Sequence, residues 1–280
     1  MEYIKSPINY IGNKYRLLKN IVPLFPKDID SFVDIFSGSG TVLINVNAKK
    51  YIYNDINYFV SDIFNGLVET NYSDIIDKIE SIILEYSLNK ENKEGFNKLR
   101  EDYNNGRNDW FVLYTLMCFS FNHQFRFNSE MKYNSSFGSI RAYFSDRQKE
   151  DLRKMKERLD DKEILVLSDN FINFDFSQFG KNDFFYFDPP YLGSVGNYND
   201  GKRGFDTWSE KSEKDLLELL DRLNDKGLKF ALSNNLKYKN DLLDNWKEKY
   251  NVYNLQDKHL YSGYNKKDRT VEEEILITNY

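Results

Sequence analysis

The chain has 280 residues, with 39 Lys and Arg against 44 Asp and Glu, for a formal net charge of −5. That length suits one large domain, or a core domain with an insertion, and buries a sufficient core without covalent staples. The single cysteine, Cys118, excludes an intrachain disulfide and a CxxC metal knuckle. No His, Cys, Asp and Glu spacing suggests a metal site. No apolar run approaches the roughly 20 residues of a membrane span. The opening MEYIKSPINYIGNKYR has no signal-peptide core, so a reducing, cytoplasmic setting is expected. The negative total argues mildly against a nucleic-acid binder, although binding depends on local patches rather than on the sum.

Taken in chain order, residues 31–36 (SFVDIF) form a short β-prone run followed at once by Ser37-Gly38-Ser39-Gly40. Residues 41–46 fit a helix, and residues 50–55 a second strand ending in Asp55. Strand, Gly-rich turn, helix, strand and acid make the βαβ pattern of an open parallel sheet. From about 73 to 159 the βα alternation stops. Isoleucines at 75, 76, 79, 82 and 83 recur at helical spacing, and 110–121 reads as a buried helix. Residues 122–144 read as loop or short strands, and 145–159 as a charged helix. Alternation then resumes with strands at 164–167 and 184–187. A helix follows at 212–226, with Ser212 as N-cap and Gly227 as its stop, and then a strand at 229–233. Late strands near 250–255 and 271–278 complete the pattern. The expected architecture is α/β, with a Rossmann-like sheet formed by residues 1–70 and 160–280 and a mostly helical insertion at 71–159.

Two positions carry the chemistry. In Asp34-Ile35-Phe36-Ser37-Gly38-Ser39-Gly40, the glycines let a backbone turn tightly and approach a ligand. Alone, this motif reads equally well as an ordinary strand-to-helix turn. Asp55, at the end of the next strand, stands where nucleotide-binding sheets place a carboxylate for two ribose hydroxyls. The sharper signal is Asp188-Pro189-Pro190-Tyr191 after the run 184–187 (FFYF), hence at the carboxyl end of a buried strand. Two prolines remove two backbone donors and fix φ. An acid, a free carbonyl and an aromatic face therefore meet at one rigid point. That set suits an exocyclic amine on a flat heterocycle: Asp188 and the Pro189 carbonyl accept its two hydrogens, and Tyr191 stacks on the ring.

With these motifs in place, the sequence resembles the Dam-type (D12 class) DNA adenine-N6 methyltransferases over nearly its whole length. Residues 7–14 (PINYIGNK) resemble the family's N-terminal block, 32–40 its cofactor turn, Asp55 its ribose acid and 188–191 its catalytic motif. Ser233-Asn234-Asn235 falls where the family often has Ser-Asn. The resemblance implies S-adenosylmethionine as cofactor, in a site lined by Tyr10, Lys14, Asp34, Phe36, Gly38, Gly40, Asp55 and Asp188. Phe171 would pack near the adenine ring, while Asp169 reads equally well as a turn residue. One departure is Tyr-Ile-Gly-Asn-Lys in place of a double-Gly turn; Asn13 is expected to supply the left-handed conformation.

In the insertion, Phe125-Arg126-Phe127-Asn128 and Lys132-Tyr133-Asn134-Ser135-Ser136-Phe137-Gly138 resemble the family's DNA-reading hairpin. The resemblance makes Phe127 the wedge that fills the gap left by an extruded base. It makes Asn128 a base-edge contact and Arg126 a base or phosphate contact, with Lys132, Asn134 and Arg269 further DNA contacts. Between 120 and 158, nine cations (Arg126, Lys132, Arg141, Arg147, Lys149, Arg153, Lys154, Lys156, Arg158) outnumber five acids (Glu130, Asp146, Glu150, Asp151, Glu157). The expected partner is double-stranded DNA, with a weak lean to a GATC-type site, and a cognate restriction endonuclease is a further expectation. Three rival readings are an RNA or protein N-methyltransferase, a nicotinamide dehydrogenase and a catalytically silent DNA-binding module. The dehydrogenase leaves DPPY unexplained.

Overall fold

The computed structural model describes residues 2–193, 208–255 and 273–280. Its seven strands are β1 (Ser31–Asp34), β2 (Lys50–Asn54), β3 (Glu163–Leu167), β4 (Phe184–Phe187), β5 (Lys229–Asn235), β6 (Asn251–Asn254) and β7 (Glu274–Thr278). They form one sheet in the order β3-β2-β1-β4-β5-β7-β6. The first five are parallel neighbours, and β7 runs antiparallel to both β5 and β6. The expected Rossmann-like α/β sheet is therefore present. β4 is buried at all four residues, as a central strand covered on both faces must be. The flanking strand β3 is part exposed, with Leu165 open to solvent.

Alternation within the strands sends side chains to two apolar layers. Phe32, Tyr53, Phe184, Tyr186 and Ala231 face α1 (Leu18–Ile21), α2 (Tyr58–Glu69) and the helices that follow it. Val33, Phe185, Phe187, Phe230 and Leu232 face the leucine stripe of α7 (Glu210–Asp225) and Trp246 of α8 (Asp241–Trp246). Between β2 and β3 lie α2, α3 (Tyr72–Glu85), α4 (Lys93–Asn104), α5 (Trp110–Phe119), the hairpin and α6 (Asp146–Asp160). Helix α5, capped by Asp109 and buried at eight residues, is the hub on which α2, α3 and α4 pack. The helical segment and the sheet face thus share a single apolar core.

Three local expectations are corrected. Residues 41–46 are not an α-helix; only Leu43–Asn45 makes a 3-10 turn. The Asn45 amide donates to the Thr41 carbonyl at 2.8 Å and to the Ile4 carbonyl at 2.8 Å, while Ile4 N–H donates to Asn45 Oδ1 at 2.9 Å. A side chain thus takes the acceptor that a helix would use. Helix α7 is capped by Ser209, whose hydroxyl accepts from Ser212 N–H, rather than by Ser212. In the N-terminal block, Gly12 carries the positive φ (83°), and Asn13 does not.

Candidate active site at the carboxyl ends of the central strands

Because β2, β1 and β4 are parallel neighbours, Asp55, Asp34 and Asp188 emerge at the same sheet edge. The loop after β1 is tightly held. Gly38 (φ 50°) and Gly40 (φ 69°) take left-handed conformations. Gly38 N–H donates to Asp55 Oδ2 at 2.8 Å, and the Tyr53 hydroxyl donates to the Gly38 carbonyl at 2.7 Å. The Tyr10 ring lies against Gly38, where a Cβ would come within 2.8 Å of it. The N-terminal block docks onto this loop through Asn13, whose amide reaches Ser39 Oγ at 3.0 Å and Thr41 Oγ1 at 2.7 Å.

That docking buries Lys14 and aims it at the DPPY motif. Its ammonium lies 2.7 Å from Asp188 Oδ2, donates to the Gly12 carbonyl at 3.1 Å and stands 5.3 Å from the centre of the Tyr191 ring. Burial pushes the Asp188 carboxyl up to about 6, against the opposing pull of the Lys14 charge. Burial works against the charged form of Lys14, but Asp188, Glu274 and Asp34 outweigh it and raise its pKa. Asp34 is pushed well above the usual carboxylate range by burial and by the neighbouring acids Asp188 and Asp55. One of its oxygens, Oδ1, is buried without a hydrogen-bond partner.

Asp55 accepts Gly38 N–H on Oδ2 and Asn57 N–H on Oδ1 at 2.9 Å, so it also ties the glycine loop to the end of β2. Beside the loop, Phe36, Phe171 and Trp208 form an aromatic cluster with ring centroids 5.5–5.7 Å apart. The Asn54 amide donates to the Ile35 and Asp169 carbonyls at 3.0 and 2.9 Å, tying the end of β1 to the loop that leads to Phe171.

Sequence reasoning missed three members of this neighbourhood. Glu274, at the start of β7, accepts from the Tyr191 hydroxyl at 3.0 Å and from the Asn235 amide at 3.1 Å. Its signal was hidden in the acidic run 272–274. Trp208 follows a segment without secondary-structure signals, and Asn235 was noted only as part of Ser-Asn-Asn.

The recognition residues separate. Phe127 and Tyr133 pair across a short hairpin, and Phe127 is 6% exposed. It stacks on Phe59 with centroids 3.7 Å apart and planes at 8°. This ring, the expected wedge, faces the core. The outward aromatic at the hairpin base is Phe121, 54% exposed. Its N–H is bonded to the Ser136 carbonyl, and the next residue, Asn122, receives the Asn9 amide beside Tyr10. Asn128 Oδ1 accepts the Glu130 and Lys132 N–H groups, both at 2.9 Å, and so caps the hairpin turn. Arg126, Lys132 and Asn134 are exposed on it. Arg269 lies outside the described residues. Phe127→Ala is expected to cost about 3–5 kcal/mol of stability. Phe121→Ala is expected to leave the melting temperature nearly unchanged and to slow turnover on DNA; paired melting and methylation assays separate the two.

The comparisons with known proteins decide the family. The profile described as D12 class N6 adenine-specific DNA methyltransferase matches residues 10–260. The chain belongs to the D12 class. Curated relatives include Type II methyltransferase M.FokI of Planomicrobium okeanokoites, 48% identical over 99% of this chain and 43% of its own length. Modification methylase StsI of Streptococcus sanguinis is 44% identical over 100% and 43%. Type II methyltransferase M.MjaIII of Methanocaldococcus jannaschii is 25% identical over 99% of both chains. The chain spans less than half the length of the first two. In this D12-class chain, the described residues contain no group of three or more His, Cys, Asp and Glu placed to hold a metal. No described helix is long and apolar enough to cross a membrane.

Proposed function

We propose that the chain transfers a methyl group from S-adenosylmethionine to N6 of an adenine turned out of duplex DNA, within a GATC-type site. The observation that carries the proposal is Asp188 held by Lys14 beside the Tyr191 face, at the end of β4. The cofactor fits the residues present. It is cationic at both its sulfonium and its ammonium, and Asp34 offers a buried carboxylate oxygen that has no partner within the protein. Asp34 would hold the ammonium and Asp55 the ribose, while Tyr10, Phe36, Phe171 and the Gly38–Gly40 backbone enclose the rest. The cofactor supplies an already activated methyl, so the protein contributes mainly positioning.

The adenine amine is a poor nucleophile because its lone pair is delocalised into the ring. Asp188 Oδ1 and the Pro189 carbonyl accept its two hydrogens and localise that pair, while Tyr191 stacks on the ring. After transfer, the N6 proton passes to Asp188, whose pKa of about 6 far exceeds that of an N-alkylated amino-purinium. Residues 71–159 form the target-recognition part, with Arg126, Lys132 and Asn134 facing DNA. Phe121 takes the wedge role, since unstacking a base costs a few kcal/mol that an inserted ring offsets. The setting is cytoplasmic restriction-modification, with a cognate endonuclease as partner. A protein N-methyltransferase leaves the exposed Arg126 and Lys132 of the hairpin unexplained, an RNA substrate is disfavoured by the DNA-specific family to which the chain belongs, and a silent DNA-binding module leaves the Lys14–Asp188 pair unexplained.

The test is expression in a host lacking adenine methylation, followed by methylation-sensitive sequencing. N6-methyladenine confined to one short motif is expected. Unmodified DNA, together with no thermal stabilisation by S-adenosylmethionine, would refute the enzyme reading.

A further inference from the structure

We infer that Glu274 is a positioning residue for the proposed transfer, holding the Tyr191 hydroxyl away from Asp188 so that Asp188 Oδ1 stays available to the target amine. The inference rests on the methyl-transfer reading above. The Asp188 carboxylate has two oxygens to share. Lys14 occupies Oδ2 at 2.7 Å. Oδ1 has a competing donor close by, the Tyr191 hydroxyl at 3.4 Å. Glu274 Oε2 accepts that hydroxyl at 3.0 Å, the shorter and stronger of the two contacts.

Glu274 is itself fixed from behind. Asn235 is 6% exposed at the end of β5 and pairs in register with Glu274. Asn235 Oδ1 accepts Lys237 N–H at 2.9 Å, which orients the amide so that Nδ2 donates to Glu274 Oε1 at 3.1 Å. The β5–β7 register thereby sets the position of a carboxylate, the carboxylate sets the tilt of the Tyr191 ring, and the ring and Asp188 together define where an aromatic amine sits. Without Glu274, the remaining acceptor for the hydroxyl among the described residues is Asp188 Oδ1, at 3.4 Å. The hydroxyl would then occupy the lone pair that the reaction needs, and the stacking face would rotate with it.

The experiment is a double-mutant cycle on the full chain, reading kcat for DNA methylation, cofactor affinity by calorimetry and melting temperature. Glu274→Ala is expected to lower kcat about tenfold while cofactor affinity stays within about twofold, in line with couplings between contacting residues. Glu274→Gln keeps an acceptor for the hydroxyl and should recover most of the rate. In a Tyr191→Phe background, which keeps the ring face but has no hydroxyl, Glu274→Ala should cause no further loss. Should the alanine chain melt below assay temperature, Glu274→Leu replaces it with the same expectations. An equal loss in both backgrounds, or no loss in either, overturns the role. Wild-type chain that fails to methylate adenine overturns the underlying activity instead.

Discussion

Asp188→Ala is expected to lower DNA methylation roughly a thousandfold, the scale of removing a group that acts directly on the reacting centre, while leaving DNA affinity within a few-fold. On the proposed mechanism, the alanine deletes the acceptor of one amine hydrogen and the acceptor of the departing proton. It touches nothing on the recognition hairpin, so a gel-shift assay beside the kinetic assay separates chemistry from binding. Comparable turnover in the mutant would remove Asp188 from the mechanism. The wild-type pH profile follows from the same residue. Asp188 must be ionised to accept, and burial places its pKa at about 6. Activity should therefore be full above that value, and kcat/KM should fall about tenfold per unit below it. The Lys14 charge pulls this pKa down, so Lys14→Met should move the acid limb to higher pH.

The second large effect is expected at Gly40. A Cβ there would lie 2.2 Å from Cε2 and 2.8 Å from Cδ2 of Phe64, in a residue whose φ is 69°. Phe64 cannot swing aside easily, because it is fully buried and stacked on Tyr53 at 4.2 Å, and Tyr53 in turn holds the Gly38 carbonyl. Left-handed strain of about 1–2 kcal/mol and overpacking of about 1–3 kcal/mol act together in Gly40→Ala. A fall in melting temperature of about 5–15 °C is expected for a domain of this size. Cofactor affinity should drop as well, because on the proposed reading the displaced backbone lies against the cofactor. A chain that melts and binds normally would show that this loop is not clamped as described.

Much of this site could be read from the chain because its chemistry is local. Asp34, the two glycines and the DPPY quartet each sit within a few residues of a strand end, and a parallel sheet gathers such ends at one edge. The aromatic hairpin was harder. Phe121 closes the apolar run expected to be a buried helix and Phe127 lies in the polar stretch after it, and which one points outward depends on where the helix ends and how the hairpin pairs, which composition does not encode. Asn128 resembles a base-reading residue in the sequence, yet its carbonyl closes a turn. The helix expected at 41–46 failed because Asn45 competes for the Thr41 carbonyl, a contact that also needs Ile4. Glu274 was invisible for a different reason: it lies 83 residues from the tyrosine it holds, and an antiparallel strand brings it to the edge where the parallel strands end.

That strand placement bears on how the chain comes to be active as it is made. β7 follows β6 in chain order, yet it is inserted between β5 and β6. While the chain emerges from the ribosome, β5 and β6 both wait for the strand that pairs with them among the described residues. Such edges invite mispairing with other chains, and long-range strand pairing is slow to form. Only when residues 274–278 arrive do both strands acquire their neighbour, and the same event delivers the carboxylate to Tyr191. On the proposed mechanism, catalytic competence waits for completion of the sheet. A nascent or C-terminally clipped chain could display its recognition hairpin well before it could modify DNA.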